Sequence, residues 1–392
     1  MITATLTWTA YLLASLVLAH GAWWTLLALV ALKRPSAAGR DGDDQSLRMV
    51  VVVPAHNEDM MVGATVRSLL AAPYEPRPEV VVVADNCTDA TAFEARQAGA
   101  TVLVRTEPER RGKSFALDFA LAHLSASERA PDAVIFVDAD STVSPSFYAA
   151  INSRLERGAD VVQIHYAVSD GEAPLVRLRA LAFALVHWAR PLGAARLGLG
   201  GSLKGNGMAF RWAVVRDGFA GAGLTEDAAA TLDLARRGIA VRFEPGATVW
   251  GHMAANYADA TVQDRRWEAG RFGLVAPAVR VAVGALARGR VPVAAGALEV
   301  ASLPLSALLA ASLMPVVVAA IAGASVVLPL AAIISLGLYA VIGWSAARIP
   351  GRQLLALVSA PRFVLYKFRV LGALLVRRGP DSWQRTSRAE VP

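Results

Sequence analysis

The chain has 392 residues, 55% of them hydrophobic, and 39 Lys and Arg against 32 Asp and Glu give a net charge of +7. With a mean hydropathy of +0.43, this composition excludes an ordinary soluble enzyme, and a single cysteine, Cys87, excludes an intramolecular disulfide framework or a cysteine-rich zinc site. The basic residues gather beside apolar segments, which argues for a membrane surface and against nucleic acid as their partner.

Residues 1–34 read as an N-terminal membrane anchor, since Met1 to Leu32 contains no Asp, Glu, Lys or Arg and a bilayer span needs about 20 such residues. A cleaved signal peptide would carry its basic residues before the apolar run, whereas Lys33 and Arg34 follow it. Residues 35–46 form a polar linker.

From residue 47 strands alternate with helices. MVVVVPAHNE reads as strand and loop, MMVGATVRSLLAA as helix, and EVVVVADNCTD as a second strand and loop. ATAFEARQAGA reads as helix, TVLVR as a third strand, RRGKSFALDFALAHL as helix and AVIFVDAD as a fourth strand. Such alternation predicts right-handed βαβ units and an α/β domain with a mixed, mostly parallel sheet over residues 47–275. Apolar strands that end in His56, Asn57 and Glu58, in Asp85, Asn86 and Asp89, and in Asp138 and Asp140 predict an acidic crevice at the sheet's carboxyl edge, where open α/β sheets bind ligands.

Residues 276–299 read as an interfacial helical region. Residues 300–347 read as two spans turning near Ala322 to Ser325 or Pro329, because Val300 to Ala347 is free of charged side chains. Residues 348–392 read as a basic interfacial segment, with Arg362, Lys367, Arg369, Arg377 and Arg378 punctuating an apolar run. An ordinary amphipathic helix packed on the domain is the alternative. Lys33 and Arg34 at one boundary, and Arg348 and Arg352 at the other, place the intervening domain and the C-terminus in the cytoplasm. On that face the Asn86 sequon carries no meaning.

Crowded carboxylates need a counter-charge. With one cysteine and no paired histidine motif, the implied cation is hard and oxygen-loving, Mg²⁺ or Mn²⁺, of the kind held by one or two carboxylates together with substrate phosphates. GKS at Gly112 to Ser114 is not a P-loop, because Glu107 stands where the earlier glycine is required. GLGGSLKGNG, Gly198 to Gly207, follows a basic helical segment instead of a strand and so is no dinucleotide fingerprint; it is a mobile or a substrate-gripping loop.

Taken in order, VVVPAHNE, VVVADNCTDAT, RRGKSFAL, VDADS, GNGMAFR, LTED and QDRRW resemble the membrane-associated family 2 glycosyltransferases of GT-A fold, which include cellulose, hyaluronan and chitin-oligosaccharide synthases. The resemblance spans Val50 to Trp267. It implies that Glu58 and Asp85 hold the base and ribose of a nucleotide-diphosphate sugar, with UDP favoured, and that Lys113 approaches the nucleotide. It implies a D-x-D pair in which Asp140 is the direct metal ligand and Asp138 lies nearer the nucleotide. Asp227 matches the general base, with Glu226 its neighbour to be discriminated, and Thr225 also suits a helix N-cap. Gln263, Arg266 and Trp267 match the Q-x-x-R-W motif, in which the arginine neutralises the leaving diphosphate and the tryptophan faces a sugar ring. Gly205, Asn206 and Gly207 match the loop that meets the acceptor. His252 is either a further metal ligand or a hydrogen-bonded structural histidine.

Processive synthases of this group carry more spans than the three expected here. The resemblance therefore implies an inverting, metal-dependent transferase acting on a lipid-linked or glycan acceptor at the membrane. A processive synthase that builds its channel as an oligomer or with a partner, and a non-catalytic scaffold that binds nucleotide sugars, are the alternatives.

Overall fold

The computed structural model describes residues 2–33, 46–219 and 225–376. An eight-stranded sheet organises the central domain: β1 (Met49–Ala55), β2 (Glu79–Asp85), β3 (Thr101–Arg105), β4 (Ala133–Phe136), β5 (Ser141–Val143), β6 (Val161–Val168), β7 (Met208–Arg211) and β8 (Val241–Gly251), in the order β3-β2-β1-β4-β7-β6-β8-β5. The first four strands are parallel, with Val52 facing Val81 on one side and Phe136 on the other. β7 runs antiparallel to both β4 and β6, β8 runs parallel to β6, and β5 closes the edge antiparallel to β8. The predicted mixed, mostly parallel α/β sheet is thus observed.

Why the valine runs are strands follows from the two faces they serve. Successive side chains on a strand point to opposite sides. Val51 and Val53 pack with Val62, Val66 and Leu69 of the Asp59–Ala71 helix and with Ile151, whereas Val50 and Val52 pack with Leu117 and Leu121 of the Lys113–Ser125 helix and with Phe210. Both faces are covered, so every position is apolar, and each fully buried valine contributes roughly 1.5–3 kcal/mol. The apolar run ends where the chain leaves the sheet. Asn57 and Asn86, just past β1 and β2, take φ of 55° and 51°, a left-handed conformation that asparagine tolerates better than most residues.

Two helices are long and apolar enough to cross a membrane: the N-terminal one, Ile2–Ala31, and Val327–Ala346. At 1.5 Å per residue they measure about 45 and about 30 Å. They pack on one another closely, since a Cβ on Gly21 would fall 2.0 Å from Ser335 Oγ; small residues permit such an approach between apolar helices. Of the two spans expected in residues 300–347, Val327–Ala346 has the length, whereas Leu305–Ile321 has 17 residues with Pro315 inside it. The expected turn falls between them, where Gly323 adopts φ 64°.

The helices Val275–Leu286 and Val291–Ala301 lay alanines 278, 282, 294 and 297 against Ala228 and Leu232 of the Glu226–Arg236 helix. Val279, Val283, Leu286 and Leu298 remain exposed on their other sides. The Ala360–Val376 helix is likewise docked on the domain, through Tyr366 and Lys367. Arg34, Arg377, Arg378 and the linker before Ser46 lie outside the described residues.

Helices and sheet meet through one long helical segment. Pro174–Phe183 continues as a π-helical turn, Ala184–Ala189, into Arg190–Arg196. A Cβ on Gly193 would lie 2.1 Å from Leu27 O of the N-terminal helix, Tyr339 Oη donates to Leu185 O at 2.9 Å, and Trp344 Nε1 donates to Leu181 O at 3.0 Å.

Candidate active site

The carboxyl ends of β1, β2 and β4 open on a cavity of about 1770 Å³ whose walls include Glu58, Asp85, Asp138, Asp140, Glu226 and Asp227. Pockets for one drug-sized ligand hold roughly 300–1,000 Å³, so a donor and part of an acceptor fit together. Asp89, counted with the acidic crevice, is not on this wall. Its carboxylate instead accepts from Thr91 N, Thr91 Oγ1 and Asp59 N. Burial pushes that carboxyl up, and these hydrogen bonds outweigh it, holding Asp89 below the usual range.

Loop–loop hydrogen bonds fix the end of the crevice expected to take the base and ribose. His56 Nδ1 donates to Asp85 O at 2.7 Å, and Thr88 N donates to Asn57 Oδ1 at 2.7 Å. Glu58 sits at the start of the Asp59–Ala71 helix, its N–H bonded to Thr91 Oγ1. Asp85 pairs with Arg105, with both side chains almost fully buried, and also accepts from Asn86 Nδ2 at 2.9 Å. Arg105 was not singled out from the sequence; a lone arginine closing the apolar strand TVLVR was the available signal.

Lys113, first residue of its helix, is the counter-charge at the centre. Its ammonium donates to Asp138 Oδ1 and to Gly205 O, and Glu226 Oε1 lies 3.6 Å away. Burial alone would lower the pKa of this lysine; attraction to Asp138 and Glu226 wins and raises it above its usual value. Burial also raises the Glu226 carboxyl, against the pull of Lys113.

The D-x-D turn is braced from behind. Asn206 is fully buried, accepts from Asp138 N at 3.1 Å and donates to Ser141 Oγ at 2.8 Å. Expected to meet the acceptor, Asn206 therefore holds the turn in place and does not reach the cavity. Gly205 does line it, with φ of 83°.

His252 also lines the cavity and directs Nδ1 to Asp140 O at 2.8 Å. A carbonyl only accepts, so Nδ1 carries the hydrogen and a neutral ring leaves Nε2 with a free lone pair. Among the described residues no three acids, histidines or cysteines form a ready metal cluster. Two carboxylates and one imidazole nitrogen nevertheless suit Mg²⁺ or Mn²⁺, which leave several positions to water and substrate phosphate. The donor set fits the expected cation.

Asp227 lies in the first turn of the Glu226–Arg236 helix and lines the cavity. Its Oδ1 accepts from Ala228 N at 2.8 Å, and its Oδ2 is 3.8 Å from where a Cβ on Gly205 would stand. A β-carbon at residue 205 would touch that oxygen at ordinary contact distance, and it is the φ of 83° that favours glycine there. Thr225 occupies the N-cap position without a side-chain capping hydrogen bond, and packs on Gly270 instead.

The Q-x-x-R-W motif lies on the Tyr257–Phe272 helix, and Gln263 and Trp267 face the cavity. The side chain of Arg266 is outside the described residues. Arg179, only 4% exposed, organises this wall: it donates to Gln263 Oε1 and to Asp264 Oδ1 and lies 5.9 Å from the Trp267 ring centre. Asp264 further accepts from Tyr366 Oη at 2.9 Å and pairs with Lys367 at 2.8 Å. Neither Arg179 nor Asp264 was picked out from the sequence. Their signal was a charge placed inside the apolar helix PLVRLRALAF and the second residue of QDRRW.

The mannosyltransferase PcManGT from Pyrobaculum calidifontis, solved with GDP-Man and Mn²⁺, shares the fold over 95% of this chain and 98% of its own, at a TM-score of 0.53 and 19% identity. Glucosyl-3-phosphoglycerate synthase from Mycobacterium tuberculosis, solved with Mn²⁺ and UDP-Glc, overlaps 57% of this chain and 77% of its own at a TM-score of 0.40 and 20% identity. The probable glycosyltransferase YdaM of Bacillus subtilis (strain 168) is 24% identical over 235 residues, 57% of this chain and 55% of that relative, so the match spans about half of the relative's length. Residues 48–270, more than half of the chain and the stretch that runs from β1 to the helix bearing Gln263 and Trp267, match the model of the glycosyltransferase like family 2, and the chain belongs to that family.

Proposed function

We propose that this protein is an inverting glycosyltransferase that moves a sugar from a nucleotide-diphosphate sugar to an acceptor delivered by the membrane. The observation that carries the reading is that Asp138, Asp140, Glu226, Asp227 and Gly205 share one cavity with Gln263 and Trp267. The same cavity extends to Leu336 and Ala340 of the apolar helix Val327–Ala346.

The chemistry asked of these residues is a single displacement. Asp227 Oδ2, on the open side of Gly205, takes the proton from the acceptor's hydroxyl or phosphate group as its oxygen bonds to the anomeric carbon. The bond from that carbon to the diphosphate breaks, and its electron pair leaves with the nucleotide diphosphate. One positioned carboxylate suffices for this, because attack and departure occur on opposite faces of the sugar. Glu58 and Asp85 line the base and ribose end, and Trp267 offers a flat apolar face to a sugar ring. Asp140, Asp138 and His252 Nε2 would hold Mg²⁺ or Mn²⁺, which supplies neutralising charge to the diphosphate when bound. Lys113 restrains Asp138 and Gly205 and adds positive charge beside the leaving group. Arg266 is assigned to the same diphosphate by its place in the motif.

The mannosyltransferase and the synthase compared above were solved with GDP-Man and UDP-Glc respectively, so UDP- and GDP-sugars are the first donors to test, with UDP-sugars favoured. Lys33 and Arg352 beside the two apolar helices support a cytoplasmic catalytic domain and C-terminus. The test is release of nucleotide by the full chain in lipid nanodiscs, for a panel of donors with Mn²⁺ or Mg²⁺, with and without a membrane lipid extract. Release that requires one donor, the cation and the extract is expected. Donor binding without release under every condition would refute the transferase reading in favour of a non-catalytic scaffold.

A further inference from the structure

Beneath the catalytic acids the cavity changes character. Lys204, the neighbour of Gly205, is 8% exposed, and Arg190, on the helix after the π-helical turn, is 7% exposed; both line the cavity, as do Arg271 and His187. Burial and the neighbouring cations hold His187 well below its ordinary value, so the ring is neutral and the positive charge is that of Lys204, Arg190 and Arg271; only part of it is matched. Glu299 accepts from Lys204 Nζ at 2.7 Å and from Ser202 N at 2.9 Å, and Glu268, the nearest acid to Arg271 on the same helix, is engaged by Lys367 at 3.3 Å. Arg190 stacks its guanidinium over Trp24 at 4.5 Å. Its Nε makes no hydrogen bond among the described residues, and neither do His187 Nδ1 and, on the acid side, Glu268 Oε2, although all three atoms are buried.

Burial pulls the Lys204 ammonium below its ordinary value, and Arg190 and Arg271 add to the pull against Glu299. Lys204, Arg190, Arg271 and Lys367 face Glu299 and Glu268, so cations outnumber acids here even with Glu268 Oε2 itself unmet. Beside it stand apolar side chains, Leu309, Leu336, Ala340 and Trp344, from the two C-terminal apolar helices. An occupant matching both surfaces has an anionic head with several acceptor oxygens and a long apolar tail that can enter from the bilayer. Guanidinium groups suit a phosphate because their fork of donors pairs with its oxygens. A neutral glycan would leave the cations unmet.

We infer that Arg190, Arg271, Lys204 and His187 form a phosphate subsite that seats the head of a lipid-phosphate acceptor, with its tail between the Leu305–Ile321 and Val327–Ala346 helices and its reacting oxygen toward Asp227. The inference rests on the transferase reading above and narrows its acceptor from any membrane-delivered group to a phosphate-bearing lipid. Gly205 links the two halves of the site, because it follows Lys204 and its carbonyl accepts from Lys113.

The test needs no turnover. The full chain in phosphatidylcholine nanodiscs is loaded with a polyprenyl monophosphate or with the uncharged polyprenol of equal length, and retained lipid is counted by native mass spectrometry. The wild type is expected to retain the phosphate about tenfold or more over the alcohol, the scale of one charge-assisted hydrogen bond. Arg190→Gln and Arg271→Gln are each expected to lose about that factor while still binding a nucleotide sugar with Mn²⁺. Should Arg190→Gln fail to fold without its stacking on Trp24, Arg271→Gln carries the comparison alone. Equal retention of both lipids by the wild type, or an undiminished preference in Arg271→Gln, overturns the subsite. Binding of millimolar inorganic phosphate as tightly as the lipid would make the ligand a soluble phosphate and overturn the lipid assignment. Failure of the transferase reading looks different: the lipid preference persists and no donor releases nucleotide.

Discussion

Replacing Asp227 with asparagine separates the base from its neighbour. The substitution is nearly isosteric, and an asparagine Oδ1 can keep the hydrogen bond that Asp227 Oδ1 accepts from Ala228 N at 2.8 Å, so the helix start survives. Lost is the proton-accepting oxygen beside Gly205. General-base catalysis contributes roughly 10²–10⁴ in rate, about 3–5 kcal/mol of barrier at 1.36 kcal/mol per factor of ten. Glu226 is poorly placed for the same work, since its Oε1 lies 3.6 Å from the Lys113 ammonium and burial favours its protonated form. Glu226→Gln should therefore raise KM for the acceptor while leaving kcat within about tenfold. The assay is initial-rate nucleotide release at saturating donor and lipid extract, together with donor Kd by calorimetry. Asp227→Asn should bind donor as the wild type does and turn over at least a hundredfold more slowly. Wild-type turnover in Asp227→Asn, or a larger kcat loss in Glu226→Gln, would refute the assignment.

Arg105→Met should destabilise the domain by about 3–5 kcal/mol, the cost of leaving a buried carboxylate without its partner, because the Arg105 and Asp85 side chains are 3% and 9% exposed. Thermal unfolding in detergent should fall by roughly 10 °C, and adding Asp85→Asn should restore most of it; no recovery in the double variant would remove the ion pair as the cause. Chelation with EDTA should abolish donor binding, Mn²⁺ should restore it, and Asp140→Ala should not respond to either; donor affinity indifferent to EDTA in the wild type would dismiss the cation. Burial holds His165, which packs its ring 4.6 Å from Trp188, down to about 4. A lowered folded value means that its contribution is whole above the ordinary value near 6.5 and is lost as pH falls toward 4. Between pH 7.5 and 4.5 the wild type should lose about 2–3 kcal/mol more than His165→Gln, read from denaturant midpoints, and parallel losses in the two proteins would contradict the shift.

The half of the sheet visible in the sequence is the half built from local rules. β1 to β4 are apolar runs ended by polar loops and separated by helices, so their parallel order follows from connection handedness. β5 to β8 pair antiparallel or return to the sheet from far along the chain; Met208 faces both Phe136 of β4 and Gln163 of β6, partners that no periodicity announces. The same division runs through the site. Residues that touch the cavity from strand ends or helix starts, Asp138, Asp140, Lys113 and Asp227, carry signals in their own neighbourhood. Those that act by position, Asn206 behind the D-x-D turn and Arg179 behind Gln263, gain their meaning from partners 68 and 84 residues away.

Lys113 adds a counter-charge that strand-end composition does not announce. Counting strand-end carboxylates points to an outside cation, and the fold also brings its own ammonium between Asp138, Glu226 and Gly205 O. In the proposed site Asp138 would share its carboxylate between Lys113 and a divalent cation that Asp140 and His252 would also hold. Both aspartates would face the cation, and Asp138 is in addition tied to Gly205 through one lysine, so that Lys113→Met should speed amide hydrogen exchange around Gly205 as well as raise the donor Kd; unchanged exchange there would refute the coupling.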